Sequence, residues 1–89
     1  MKAVITVLGK DTVGILAKVS ALCAEKNVNI ENVTQTVMQD YFCMIMMCDI
    51  SKINIGFDRF VDEAVKIGKE SGLSIHVMHE DIFNSMHRI

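Results

Sequence analysis

The chain has 89 residues, a formal net charge of −2 and a hydrophobic share of 51%. This length allows one domain with a single modest core, and the mixed charges offer no basic surface for nucleic acid or an anionic membrane. Proline is absent and no apolar run reaches the roughly 20 residues of a membrane span, which excludes a linker-rich or membrane-spanning chain.

The first half of the chain is predicted to form a strand, a helix and a second strand. Over 2–8 the residues alternate between two sets that would lie on opposite faces, which is typical of a strand. Apolar residues at helical spacing predict an amphipathic helix over 13–26. Asn27 is predicted to end it, because asparagine tolerates the left-handed conformation found at helix ends. A second strand follows over 29–38, where β-branched residues are frequent.

The second half is predicted to repeat this order and to add a helix. A polar turn at 39–40 leads into a third strand over 41–50. Helical spacing then predicts a helix that begins at Phe57 and ends near 71–72, followed by a fourth strand over 73–79. Apolar residues at helical spacing continue to the end of the chain, so a short amphipathic helix is expected within the tail, 80–89.

The order βαββαβ predicts an α+β fold of the ferredoxin-like type. Right-handed crossovers would place two helices on one face of a four-stranded antiparallel sheet. We expect one domain over 1–89, with a core over 1–79 and a helical tail over 80–89. The stretch from Tyr41 to Cys48 is apolar on both faces of its strand, although one face of such a sheet is normally polar. We therefore expect a homodimer in which a second copy covers or extends the sheet.

The turn between the first strand and helix, Gly9-Lys10-Asp11-Thr12-Val13-Gly14-Ile15, is the strongest candidate for a binding site. Gly9 is expected to release the chain from the strand, and Gly14 to lie close against a neighbour. Asp11 is predicted as the N-cap, with Thr12 and Val13 entering the helix. Free N–H groups at the helix start suit a carboxylate or phosphate, although many such turns bind nothing.

Catalytic and metal sites are not expected. No nucleophile stands beside a base, and an acylphosphatase-like enzyme would need an arginine in the first turn, where Lys10 is the only cation. Met44, Met46 and Cys48 share one strand face and could bind a soft metal, but such residues more often pack in a core. Three cysteines without an export signal predict reduced thiols and a cytoplasmic location.

The first turn and the start of the second strand together resemble the ACT domain, a βαββαβ module that binds small molecules. Its motif has an acid, two further positions, a glycine and an aliphatic pair, which Asp11, Gly14 and Ile15-Leu16 match. An Asn-Ile pair entering strand two is matched by Asn29-Ile30. The whole chain looks like the small stand-alone ACT proteins of the UPF0237 type, with Val13 where many ACT domains have proline.

The resemblance implies a site shared between two subunits, formed by the first turn of one and strand two of the other. The ligand would be an amino acid or a related metabolite, held without a cofactor by Asp11, Thr12, Val13, Gly14, Ile15, Asn29 and Ile30. It implies a non-enzymatic regulatory homodimer that acts through an unidentified protein partner. A structural interaction module that binds no ligand is the main alternative; an enzyme and a soft-metal protein are more distant ones.

Overall fold

The protein has four strands and three helices in the predicted order, in a computed structural model that describes residues 1–10 and 14–86 without the side chains of Met38 and Met86. The elements are β1 (Lys2–Gly9), α1 (Ile15–Glu25), β2 (Asn29–Met38), β3 (Tyr41–Asp49), α2 (Phe57–Ser71), β4 (Ser74–His79) and α3 (Glu80–Met86). The strands form one antiparallel sheet in the order β2-β3-β1-β4. The predicted ferredoxin-like fold is confirmed.

Helices α1 and α2 cover one face of this sheet, which we call the helix face. Successive side chains of a strand point to opposite faces, so every second residue of β3 from Phe42 to Cys48 enters the core. Val19 of α1 and Phe60 of α2 pack against them and are almost fully buried. The longest described helix, α2, has 15 residues. No helix within the described ranges has the length and apolar character needed to cross a bilayer.

The start of α1 differs from the prediction. The helix begins at Ile15 rather than at residue 13, and its N-cap is Gly14, not Asp11. Gly14 has a left-handed backbone, with φ of 75° and ψ of −1°, which is incompatible with a right-handed helix, so the helix can begin only after it. Thr12 and Val13, predicted to enter the helix, lie with Asp11 outside the described residues.

The end of α1 follows the prediction closely. Asn27 has a φ of 61° and is the left-handed residue that ends the helix. Its N–H donates to the Ala24 carbonyl, and the Val28 N–H donates to the Cys23 carbonyl. This pair of hydrogen bonds is the Schellman motif, which satisfies carbonyl groups that the helix itself leaves unpaired. The motif turns the chain directly into β2.

Strand β1 ends at Gly9 as predicted, but the close approach predicted for Gly14 is found at Gly9 instead. Gly9 is the residue that lies close against a neighbour, because a Cβ there would overlap Leu73 Cδ2. At Gly14, no atom of the described residues beyond its chain neighbours and its own helix lies within 4 Å of the position that a Cβ would take, and its positive φ is what favours glycine. Glycine is favoured at Gly9 by the contact with Leu73 and at Gly14 by its backbone angle.

The other face of the sheet, which we call the outer face, is only partly covered. Helix α3 packs on β1 and β4 there, and Val4 beneath it is fully buried. Cys43, Ile45 and Met47 of β3 are half-buried on this face. Leu8 is 48% exposed, and Tyr41 and Ile82 are exposed to a similar degree.

Candidate functional site

The first half of the predicted site lies at the start of α1. The Gly14 carbonyl accepts the first helical hydrogen bond, from the Lys18 N–H, at 3.0 Å. The N–H groups of Ile15, Leu16 and Ala17 precede that bond and have no partner within the helix. No side chain among the described residues caps them. Together with the helix dipole, these donors form a site suited to a carboxylate or another anion.

The side chains around this turn have different roles. Ile15 is only 2% exposed and packs in the core, so it can offer a ligand its backbone but not its side chain. Leu16 is 41% exposed beside the same N–H groups and can contact an apolar part of a ligand. The predicted contacts Asp11, Thr12 and Val13 lie in the part of the chain that the structure does not describe.

A neighbouring cation and aromatic ring were not among the predicted site residues. Lys10 Nζ lies 5.5 Å from the centre of the Tyr41 ring, within the range of a cation–π contact. Both residues line a cleft of about 400 Å³, whose other lining residues are Leu8, Gly9, Gly72 and Ser74. This pair could have been predicted from the sequence. Antiparallel pairing of β1 with β3 brings Tyr41, which follows the 39–40 turn, to the end of β1 beside Lys10.

The second half of the site lies around Asn29. This residue is exposed at the start of β2 and lines a cleft of about 370 Å³ together with Ala24, Asn27, Val28, Asp49, Ser51 and Lys52. One Asp49 carboxylate oxygen accepts hydrogen bonds from the Ser51 hydroxyl at 2.5 Å and the Ser51 N–H at 2.8 Å. These two bonds hold the pKa of Asp49 below its usual value, so its charge is retained at neutral pH.

The cleft around Asn29 carries charges of both signs. The ionised Asp49 carboxylate and the carbonyl end of α1 bring negative charge that could attract an ammonium group, while Lys52 also lines the cleft. Ile30, the next predicted contact, pairs with Cys48 and packs against the core instead of lining the cleft. Asn29 is therefore the member of the Asn-Ile pair whose side chain is available to a ligand.

The two halves of the predicted site are far apart within one copy of the chain. Gly9 pairs with Phe42 at the beginning of β3, whereas Asn29 pairs with Asp49 at its end. Seven strand positions separate Phe42 from Asp49, which corresponds to about 24 Å. A ligand of amino-acid size cannot span that distance, so one copy does not bring the two halves together.

The sulfur-containing residues considered as soft-metal ligands lie in the core. Met44, Met46, Cys48 and Cys23 are at most 1% exposed. The hydrogen bond to Cys23 and burial raise the pKa of the Cys48 thiol, which opposes the thiolate form that metal binding needs. Among the described residues, no three His, Cys, Asp or Glu side chains are grouped so that they could hold a metal ion.

Comparison with known proteins identifies the family. The family model described as the ACT domain matches residues 3–67. A UPF0237 protein of Listeria innocua is 52% identical over 89 residues, the full length of both chains. A UPF0237 protein of Methanopyrus kandleri is 42% identical over 88 residues, 99% of this chain and 98% of the relative.

A solved structure agrees with the sequence matches. An ACT domain protein from Streptococcus pneumoniae has a TM-score of 0.81 and 37% sequence identity, and the match covers 93% of each chain. The family model, the full-length relatives and the solved fold agree with the motif in the first turn and the Asn-Ile pair. The chain belongs to the ACT domain family, with UPF0237 proteins as full-length relatives.

Proposed function

We propose that this chain is a non-enzymatic sensor that binds an amino acid or a related metabolite between two copies and signals through another protein. The observation that carries the proposal is the opposite character of the two half-sites. One end of α1 offers N–H donors with Lys10 nearby, and the other end offers Asn29 and the ionised Asp49. An amino acid carries an ammonium group and a carboxylate on the same carbon, so it could bind both half-sites at once. Only a second copy can bring these half-sites close enough together.

The free edge of β2 supports a dimer arrangement that would bring the two half-sites together. β2 is a ten-residue edge strand without lysine or proline, the residues that commonly protect exposed edges. If two β2 strands pair antiparallel about a two-fold axis, the start of each lies beside the end of the other. Met38 pairs with Tyr41, so the end of β2 is also the end at which the Lys10 turn lies. Asn29 of one copy would then approach Gly14 of the other.

The chemistry of the ligand follows from this arrangement. Its carboxylate would accept from the N–H groups after Gly14, and its ammonium group would donate to Asn29 and Asp49. The exposed Leu16 side chain is suited to an apolar side chain on the ligand. Asp11, Thr12, Val13 and the backbone of Ile30 remain proposed contacts on the basis of the family resemblance. We place this activity in the cytoplasm, where the three free cysteines would stay reduced.

A thermal-shift screen of the natural amino acids tests the proposal. A ligand at 100 times its dissociation constant stabilises the folded protein by about 2.7 kcal/mol, so the melting temperature should rise clearly for at least one compound. Asn29→Ala should abolish the shift. Asn32→Ala is the matched control, because Asn32 is exposed on the same strand but does not line the cleft. No shift with any amino acid or related metabolite would refute the proposal.

Mixing two variants tests whether the site is shared between copies. Gly14→Asp places a negative charge beside the carboxylate site of one half, and Asn29→Ala disables the other half. Each variant alone should fail to bind. After random exchange of subunits, half of the dimers contain both variants, and each of those has one intact site, so about one quarter of the binding capacity should return. No recovery on mixing would contradict a shared site while leaving ligand binding itself intact.

A structural interaction module that binds no ligand is the second candidate, and the exposed apolar residues of the outer face favour it. In that case Gly14→Asp would change no ligand response, and a charge introduced on the outer face would abolish binding of the partner protein. The thermal-shift screen separates the two candidates directly.

A further inference from the structure

Lys52 brings a positive charge to the Asn29 cleft. It lines this cleft of about 370 Å³ together with Asn29 and Asp49, and the residue is exposed. Within residues 1–10 and 14–86, no ion pair involves its ammonium group. The charge of Lys52 is therefore available to a molecule that enters the cleft.

The acidic side chains near the end of α1 and the start of β2 already have cationic partners. Lys26 Nζ lies 3.0 Å from a carboxylate oxygen of Glu25 and 3.6 Å from one of Glu63. Lys2 Nζ lies 2.7 Å from a carboxylate oxygen of Glu31. Each of these carboxylates has a cation of its own, so none of them is needed to balance the cleft.

The loop that carries Lys52 is tied to the end of α1. The side-chain amide of Asn27 donates to the Lys52 carbonyl at 2.9 Å. The side-chain amide of Asn54 donates to the Glu25 carbonyl at 3.0 Å, and its N–H donates to the Lys26 carbonyl at 3.1 Å. These bonds fix the backbone of Lys52 at the margin of the cleft, and its flexible stem lets the ammonium group turn inward.

The charges of the two half-sites exceed what a ligand with one carboxylate can match. The described residues that line the two clefts include two cations, Lys10 and Lys52, and one acid, Asp49. Asp11 lies outside the described residues. The α-ammonium group of Met1 donates to Ser51 Oγ at 3.1 Å and adds positive charge beside Asp49. The start of α1 adds a partial positive charge at the other half-site.

We propose that the ligand is an amino acid with an acidic side chain, whose second carboxylate accepts a hydrogen bond from the ammonium group of Lys52. This inference rests on the proposed function, which assigns the first carboxylate to the start of α1 and the ammonium group to Asn29 and Asp49. The methylene groups of the acidic side chain would contact the exposed Leu16. All three charged groups of the ligand then have partners of opposite charge.

Calorimetric titration with two matched pairs of ligands tests the inference. Glutamate and glutamine differ in charge and hardly in size, as do aspartate and asparagine. A hydrogen bond between two charged groups predicts that the acid of at least one pair binds about tenfold more tightly than its amide. Amides that bind as tightly as their acids in both pairs would overturn the inference.

Lys52→Met removes the charge and keeps a long side chain. This variant should bind the acid about tenfold more weakly and the amide almost unchanged, so that the preference disappears. Lys66→Met is the matched control, because Lys66 is exposed on α2 and lines neither cleft. Circular dichroism checks that both variants are folded. Equal weakening of the acid and the amide by Lys52→Met would overturn the inference.

Charge reversal separates this inference from the proposed function. Lys52→Glu should bind lysine or arginine more tightly than glutamate, because the new carboxylate attracts a cationic side chain. If a neutral or basic amino acid is the tightest ligand of the unchanged protein, the inference is wrong and the proposed sensor stands. If no amino acid or related metabolite binds, both are refuted.

Discussion

The side chain of Leu73 occupies the space beside Gly9 in which any other residue would carry its Cβ. This contact joins the end of β1 to the residue just before β4, so Gly9→Ala should force Leu73 to another rotamer. Overpacking of this kind costs about 1–3 kcal/mol, and the flexibility of Leu73 places the expected loss toward the lower end. Urea unfolding of the variant measures this loss directly.

The control is a double-mutant cycle with Leu73→Ala, which removes the atoms that the new Cβ would meet. In that background Gly9→Ala should cost much less than in the unchanged protein. Additive effects of the two substitutions would show that the contact is not the reason for glycine at this position.

Gly14 tests a different physical requirement, because within the described part of the chain no neighbouring residue opposes a Cβ there and the backbone angle is what favours glycine. Gly14→Ala should lower the free energy of unfolding by about 1–2 kcal/mol, the cost of a left-handed backbone for a residue with a Cβ. Gly14→Asn should cost less, because asparagine tolerates this conformation. Equal unfolding midpoints for the Ala and Asn variants in urea would contradict this explanation.

Asp49 should contribute to stability in a pH-dependent manner. Its hydrogen bonds to Ser51 lower its pKa in the folded protein, whereas in the unfolded chain the value is about 3.9. Ionised Asp49 therefore stabilises the folded protein fully above about pH 4, and this stabilisation is lost as the pH falls through the folded pKa. Asp49→Asn should flatten the acid limb of the stability curve, and Ser51→Ala should flatten it partly. An unchanged acid limb in urea titrations of Asp49→Asn would exclude this role.

The three cysteines should differ in their reactivity toward alkylating reagents. Cys43 is half-buried on the outer face, whereas Cys23 and Cys48 are closed in the core and hydrogen-bonded to each other. Mass spectrometry at low chain concentration should find Cys43 alkylated first. Cys23 and Cys48 should react at the rate of unfolding and become fast only in urea. Rapid alkylation of Cys48 in the native protein would be incompatible with the buried pair.

The order and approximate limits of the helices and strands were predictable because alternation and helical spacing are local patterns. The left-handed conformation of Asn27 was predictable for the same reason. The roles of Gly9 and Gly14 were not, since both glycines are compatible with either role when only the neighbouring residues are considered. The contact that decides the role of Gly9 comes from Leu73, which lies near the far end of the chain.

The sequence motif proposes the members of the candidate site but does not predict how the fold arranges them. The motif identified Gly14 and Asn29, while the clefts around them depend on the strand register that joins Asn29 to Asp49 and Gly9 to Phe42. The same register shows that Ile30 packs inward, which its position beside Asn29 could not reveal. Long-range pairing therefore supplies the information that local sequence patterns lack.

The separation of Gly14 and Asn29 at opposite ends of α1 would have a consequence for regulation in the proposed sensor. If a ligand needs both residues, it can be retained only when two chains have met, so occupancy depends on the amount of protein as well as on the amount of metabolite. Such a sensor would respond weakly when its gene is poorly expressed, even in the presence of abundant ligand. The cell could then set the threshold of the response by adjusting gene expression alone, with no change in the binding residues.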